Sequence, residues 1–202
     1  MTVRLLLADD QVLILQALCA LLDLEEDFEV VASVSRGDEV VDAAREARPD
    51  VALLDIEMPG LDGLAAAAVL AAQLPSCRVV ILTTFGRAGY LRRAMEAGAV
   101  GFVVKDAPAE VLADAIRRVM RGERVVDPEL AVATLAAGES PLTARERDVL
   151  IAARSGATVA DIAAGLCLSE GTVRNYLSAA TAKTRTRNRM EALRVADEHG
   201  WL

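Results

Sequence analysis

Aromatic side chains are nearly missing from this sequence: Phe, Tyr and Trp together make up 3% of its 202 residues. Any core must therefore be assembled from Ala, Val, Leu and Ile. Cysteine is scarce too. Cys19, Cys77 and Cys167 lie far apart and form no Cys-x-x-Cys pair, which argues against a disulfide framework or a zinc site and for reduced packing cysteines. The single histidine, His199, has no cluster of other ligand types beside it and reads as a surface residue. No apolar run approaches the roughly 18 residues that a membrane span needs. The chain opens on a strand pattern and two aspartates, not on a basic leader. Direct membrane insertion is not expected, and a cytoplasmic location is.

Acid is what the sequence has in excess, with a net charge of −8. The excess is unevenly spread. Residues 1–138 carry 13 basic and 22 acidic side chains, whereas residues 139–202 carry 9 and 8. Within 169–190, Arg174, Lys183, Arg185, Arg187 and Arg189 stand against Glu170 alone. Such asymmetry between the two parts of a chain points to two tasks.

The first 120 residues or so alternate β-branched runs (3–8, 29–34, 51–55, 78–82, 100–104) with Ala-rich amphipathic stretches (11–23, 36–48, 61–74, 87–98, 108–121). Strict alternation of five βα units predicts an α/β fold, a doubly wound parallel sheet covered by helices on both faces. Gly98 and Gly122 fall where helices should stop, and Pro108 falls in the first turn of the last one. Asp127-Pro128 opens a short helix to about residue 136, and Ala137-Gly138-Glu139-Ser140-Pro141 reads as a linker. Thr143-Ala144-Arg145-Glu146 is a capping box. Short helices from Thr158 to Gly165, from Ser169 to about Lys183 and over about 188–199 follow. A tight turn near Gly165 joins two of them, which describes an all-α, four-helix module of the helix-turn-helix kind. The boundaries implied are 1–121, a linker at 122–140 with its short helix, and 141–202.

The strand ends carry the chemistry. Asp9 and Asp10 follow the first apolar run, Asp55 ends the third, Thr83 and Thr84 end the fourth and Lys105 ends the fifth. In an open α/β sheet these residues meet at the carboxyl edge, where ligands bind. Three carboxylates and one ammonium sum to −2, which one Mg²⁺ neutralises; Mg²⁺ takes oxygen ligands and commonly bridges a carboxylate and a phosphate. A carboxylate can also act as a nucleophile toward a phosphoryl group, with the cation, Lys105 and Thr83 steadying the transferred oxygens. Solvated carboxylates at strand ends are the plainer account of any one of these aspartates, but not of Asp9, Asp10, Asp55, Thr83 and Lys105 together.

These motifs together (the Asp9-Asp10 pair, DIEMPG around Asp55, LTT at 82–84, VVKD at 103–106 and LTARERDVL at 142–150) resemble a two-component response regulator of the NarL/FixJ, LuxR-type helix-turn-helix family. DIEMPG, ILTTF and TVRNY further resemble the DesR-like group within it. The resemblance covers nearly the whole chain. It implies a receiver domain in which Asp55 accepts phosphate from a sensor histidine kinase, Asp10 ligates Mg²⁺, Asp9 acts through water and the Glu57 backbone carbonyl adds a ligand. Thr83 and Lys105 then engage the phosphoryl oxygens. Thr83 and Phe102 occupy switch positions; Phe102 has no hydroxyl and responds only by packing inward or outward, a half-buried strand aromatic being the plainer reading.

The second helix of a helix-turn-helix enters the major groove. Arg174 suits guanine and Asn175 adenine, and by resemblance Thr172, Arg174, Asn175 and Ser178 are the DNA-binding positions. Ser178 stands where a Lys is common, so its contact is weaker or water-mediated. Lys183, Arg185, Arg187 and Arg189 suit phosphate positioning. Thr184 and Thr186 replace apolar residues of the family, which predicts looser packing of the last two helices. The resemblance also implies promoter binding as a phosphorylation-dependent homodimer. Leu13, Ile116 and Val119 are interface candidates, in competition with burial in the receiver core. Two other readings stand beside this one. The first is a regulator that works without phosphorylation. The second is an aspartyl-nucleophile phosphatase or phosphotransferase, disfavoured because Glu57 replaces the second Asp of that class's DxD motif.

Overall fold

All five apolar runs are strands in the computed structural model, which describes residues 2–83, 88–137 and 140–202. Thr84 and the Gly138-Glu139 part of the expected linker lie outside the described residues. The strands are β1 (Val3–Ala8), β2 (Phe28–Val34), β3 (Val51–Asp55), β4 (Arg78–Thr83) and β5 (Gly101–Val104). They alternate with α1 (Val12–Leu22), α2 (Val40–Ala47), α3 (Gly63–Gln73), α4 (Ala88–Glu96) and α5 (Ala109–Met120). The expected α/β fold is found, and the sheet is parallel throughout. Its order is β2-β1-β3-β4-β5-β6, where β6 (Val125–Val126) is a strand the alternation did not announce. Two residues are too few to leave a periodic signal.

Both faces of the sheet are covered, which is why the central strands are apolar without interruption: Leu5–Leu7 and Val51–Leu54 are all buried. Leu5, Leu7, Leu53, Val80, Leu82 and Val103 pack on one side against Leu15 and Leu22 of α1 and Leu112, Ile116 and Val119 of α5. Their strand neighbours Leu6, Leu54, Ile81 and Phe102 point to the other side, as the two-residue period requires. Two helix starts differ from expectation. A single 3-10 turn at Gly37–Glu39 precedes α2, and Pro108 is the residue before the first turn of α5, not within it. Gly98 and Gly122 do end helices, with φ of +91° and +86°.

Beyond the sheet come α6 (Pro128–Ala137), α7 (Ala144–Ala152), α8 (Val159–Gly165), α9 (Glu170–Lys183) and α10 (Arg189–Glu198). Asp127 caps α6, its Oδ1 accepting from the Leu130 amide at 3.0 Å. Thr143 and Glu146 form the expected reciprocal capping box, and Thr158 forms another with Asp161. Ser169 caps α9. The left-handed residue in the turn between α8 and α9 is Cys167, at φ +54°, rather than Gly165. Val149, Leu150, Ile162, Val173, Leu177 and Leu193 make the core of this helical unit. The two threonines that replace apolar residues at its end satisfy their hydroxyls locally. Thr184 is buried and its hydroxyl donates to Ala180 O at 2.8 Å, with Thr186 Oγ1 2.9 Å away, so both polar groups are matched inside the fold. The bulk of the residues up to 131 forms one compact unit and Val132–Leu202 the other. Among the described residues, no helix is long and apolar enough to cross a membrane.

The cysteines are free. Cys77 fits a packing role: burial, then the nearby Asp50 charge, push its thiol up to about 11. Cys167 does not, being exposed. His199 is exposed as expected, and its ring stacks on Trp201 with centroids 4.6 Å apart.

Candidate functional site

Strands β1 and β3 are neighbours in the sheet, and their carboxyl ends deliver Asp9, Asp10 and Asp55 to one place. One oxygen from each of the three lies within 4.8 Å of the others. Asp9 is 1% exposed and Asp55 is buried, whereas Asp10 is open to solvent. Lys105, from the end of β5, reaches across β4 into this cluster. Its Nζ lies 2.7 Å from Asp9 Oδ2 and 3.0 Å from Asp55 Oδ1, as close ion pairs that are not aligned as hydrogen bonds. The other Asp9 oxygen accepts the Gln11 amide at 3.0 Å. Asp9 is thus committed on both sides, leaving Asp10 and Asp55 to turn oxygens toward a cation.

The electrostatics follow from burial. Desolvation pushes the Asp55 carboxyl above its usual range; Lys105 pulls it back and Asp9 pushes it further up. Burial alone would lower Lys105, but Asp9 and Asp55 outweigh it and hold the ammonium above the usual lysine value. The buried set remains short of positive charge, and a divalent cation suits it. The donor set, all carboxylate oxygen, fits Mg²⁺.

Thr83 ends β4 buried, one strand over from Asp55, and its carbonyl accepts the Lys105 amide at 2.7 Å. Glu57 lies in the exposed turn after β3, two residues past Asp55. Phe102 pairs with Ile81 and Val126 in register and is fully buried, so its ring packs inward. Gly63 is a site residue that the strand-end pattern did not reveal. A Cβ there would lie 1.8 Å from Asp55 O, and its amide bonds Ile56 O at 2.9 Å. The start of α3 is thus pressed against the Asp55 backbone, an approach open only to glycine. The available signal was Asp62-Gly63, an N-cap and a glycine within eight residues of Asp55.

In the helical unit, Arg174, Asn175 and Ser178 are exposed on α9 and Thr172 is half-buried, while Val173 and Leu177 face the core. The Arg174 guanidinium is held by Glu170 one turn earlier. Lys183 departs from its expected place. Nine residues of helix turn it half a revolution from Arg174, and its Nζ sits 2.8 Å from Glu146 Oε2. Arg189 donates to Ala157 O at 3.2 Å. Of the interface candidates, Ile116 and Val119 are fully buried in the receiver core, which removes them; Leu13 is 82% exposed on α1, with Val12 exposed beside it.

The Glu146–Lys183 pair carries a prediction. Burial raises the Glu146 pKa, but Lys183 and the Thr143 amide and hydroxyl outweigh it, leaving the carboxyl below its usual 4.5. A lowered folded value stabilises above the unfolded pKa and is lost as pH falls through the folded one. Lys183→Met should therefore cost about 1 kcal/mol, the worth of one half-exposed bond to a carboxylate whose oxygen keeps the Thr143 amide at 2.7 Å. It should also move acid unfolding of this unit to higher pH. The one tryptophan of the chain, Trp201, packs against this core, so its fluorescence reads the transition. An unmoved acid midpoint would assign the pair no role.

Comparison with known proteins agrees with this layout. Residues 5–117 match the family model described as response regulator receiver domain, and residues 140–196 match that of bacterial regulatory proteins, luxR family. The chain is 46% identical over 200 residues to the transcriptional regulatory protein YvfU of Bacillus subtilis (strain 168), covering 99% of this chain and 100% of that one. It is 44% identical over 200 residues to the transcriptional regulatory protein DesR of the same organism, covering 99% of each. Among solved structures, the response regulator ChrA of a heme-sensing two-component system matches with a TM-score of 0.59 at 33% identity, covering 100% of this chain and 99% of that one.

Proposed function

Because the chain belongs to the two-component transcriptional response regulators with a LuxR-type DNA-binding domain, we propose that Asp55 takes a phosphoryl group from a sensor histidine kinase and that this charge promotes dimerisation and promoter binding. The receiver is residues 1–121, the linker 122–140 and the output domain 141–202. One observation carries the reading. The Lys105 ammonium bridges the buried Asp9 and Asp55, with a third carboxylate, Asp10, within ligand distance.

An Asp55 oxygen forms the new P–O bond as the P–N bond of a phosphohistidine breaks. Asp10, Asp55 and the Glu57 carbonyl would hold Mg²⁺, with Asp9 acting through water. The cation would supply charge neutralisation for the phosphoryl oxygens. Lys105 gives up part of its contact with Asp55 and turns to a phosphoryl oxygen, as does the Thr83 hydroxyl. Thr83 and Phe102 then report the change along the sheet. The chain catalyses only its own phosphorylation and dephosphorylation. It works in the cytoplasm, and the exposed Val12 and Leu13 on α1 are available to a second copy. In the output domain, Thr172, Arg174, Asn175 and Ser178 meet the DNA, while Lys183 adds charge from the flank where it holds Glu146.

The test uses acetyl phosphate and Mg²⁺ with the full chain. Labelling should stop at one phosphoryl group per chain, and light scattering should show the mass doubling. Rapid turnover of the phosphodonor with no phosphorylated protein accumulating would instead make the protein a phosphatase, and the absence of both labelling and turnover would end the proposal.

A further inference from the structure

We infer that Arg185 is a DNA phosphate clamp, held in place by a left-handed backbone that a glycine would adopt with less strain. This rests on reading α9 as the recognition helix.

The end of α9 carries the first observation. The Arg185 amide bonds Ala182 O at 3.1 Å and the Thr186 amide bonds Thr181 O at 3.0 Å. That pair closes a helix through one left-handed residue, usually glycine. Here the residue is an arginine at φ +54°. A strained residue kept where a simpler one serves is a reason to ask what its side chain does.

Position supplies the second. Eleven residues separate Arg174 from Arg185, which follows the last residue of α9 by two. At 1.5 Å per residue the separation is about 16 Å. The N-terminal residues of a recognition helix meet base edges; with Arg174 there, the far end of α9 is left for the flanking sugar-phosphate backbone.

Three other cations of the stretch are engaged through their side chains. Lys183 lies on Glu146, Arg189 on Ala157 O and Arg174 on Glu170. Arg185 is exposed and has no acidic partner among the described residues. Arg187 is exposed as well, with its backbone amide on Glu191 at 3.0 Å, but it lies two residues further from α9 than Arg185. Helix-dipole stabilisation does not account for Arg185, since any cation in the last turn provides it and Lys183 is already there.

The experiment titrates full-length protein, treated with acetyl phosphate and Mg²⁺, onto a random-sequence duplex across a salt series. Arg185→Gly should bind severalfold more weakly at low salt. The slope of log affinity against log salt should fall by about 0.9 per chain, the value of one phosphate contact. The same variant should unfold a few degrees higher by Trp201 fluorescence, because the strain is relieved. Arg185→Ala should share the loss of slope without the gain in stability, and Arg185→Lys should keep the wild-type slope. A wild-type slope in both Arg185→Gly and Arg185→Ala overturns the assignment. The reading of α9 is checked separately by Arg174→Ala, which should lose discrimination between a promoter fragment and the random duplex. If discrimination survives there while the Arg185 slope changes, the clamp stands and the recognition helix has been misread.

Discussion

Asp55→Asn protein incubated with acetyl phosphate and Mg²⁺ should take up no phosphoryl group, while the wild type stops at one per chain. The three carboxylates are not equivalent. Asp9 is committed on both oxygens, to Gln11 and to Lys105. Asp10 is solvent-exposed and lies farther from the ammonium's grip. Asp55 combines burial with a Lys105 contact at 3.0 Å, so it alone offers a nucleophile with a cation already poised beside it. The substitution should also stabilise the metal-free receiver. Asp55 has a raised carboxyl pKa, so its ionised form weakens the fold as pH rises through that value, and a neutral amide escapes the penalty. Loss of labelling with a raised melting temperature identifies a reactive residue; loss of labelling with loss of fold would not. Normal labelling of Asp55→Asn would move the acceptor elsewhere.

Arg174→Ala should reduce affinity for the cognate promoter by about 1–3 kcal/mol, roughly five- to 150-fold, the range for one bidentate pair with guanine. Binding to random DNA should change far less. The free guanidinium is not idle: Glu170 holds it, and such an exposed pair one turn apart is worth about 0.3–0.5 kcal/mol. Only a site that offers more than this draws Arg174 away, which sharpens discrimination against weak sites. Footprints that are unchanged in the variant would remove Arg174 from the readout.

The receiver was legible because a parallel sheet leaves a strong signature. Strands buried on both faces become unbroken apolar runs, and the residue ending each run is at the ligand edge by topology alone. Asp9, Asp55, Thr83 and Lys105 could all be placed by that argument. What escaped had no such signature. The strand β6 is two residues long. Gly63 matters through a close backbone approach, which composition does not encode. Charge alone assigns Lys183 to phosphate positioning with Arg185, Arg187 and Arg189, although helix geometry sends it to the opposite flank from Arg174. Thr184 and Thr186 looked like packing defects, because hydrogen bonds to the carbonyls of the preceding turn are invisible until the helix end is seen.

Phe102 sets a noise floor. Its ring is 1% exposed and fills the space beneath the sheet. Swinging it out would empty a volume comparable to a large-to-small core substitution, at a cost of about 3 kcal/mol or more. With no hydroxyl, an outward ring gains no compensating hydrogen bond. On the proposed reading, roughly one resting molecule in a hundred or fewer would hold the ring outward spontaneously. Background transcriptional output from the resting pool would then be limited by the fit of one side chain.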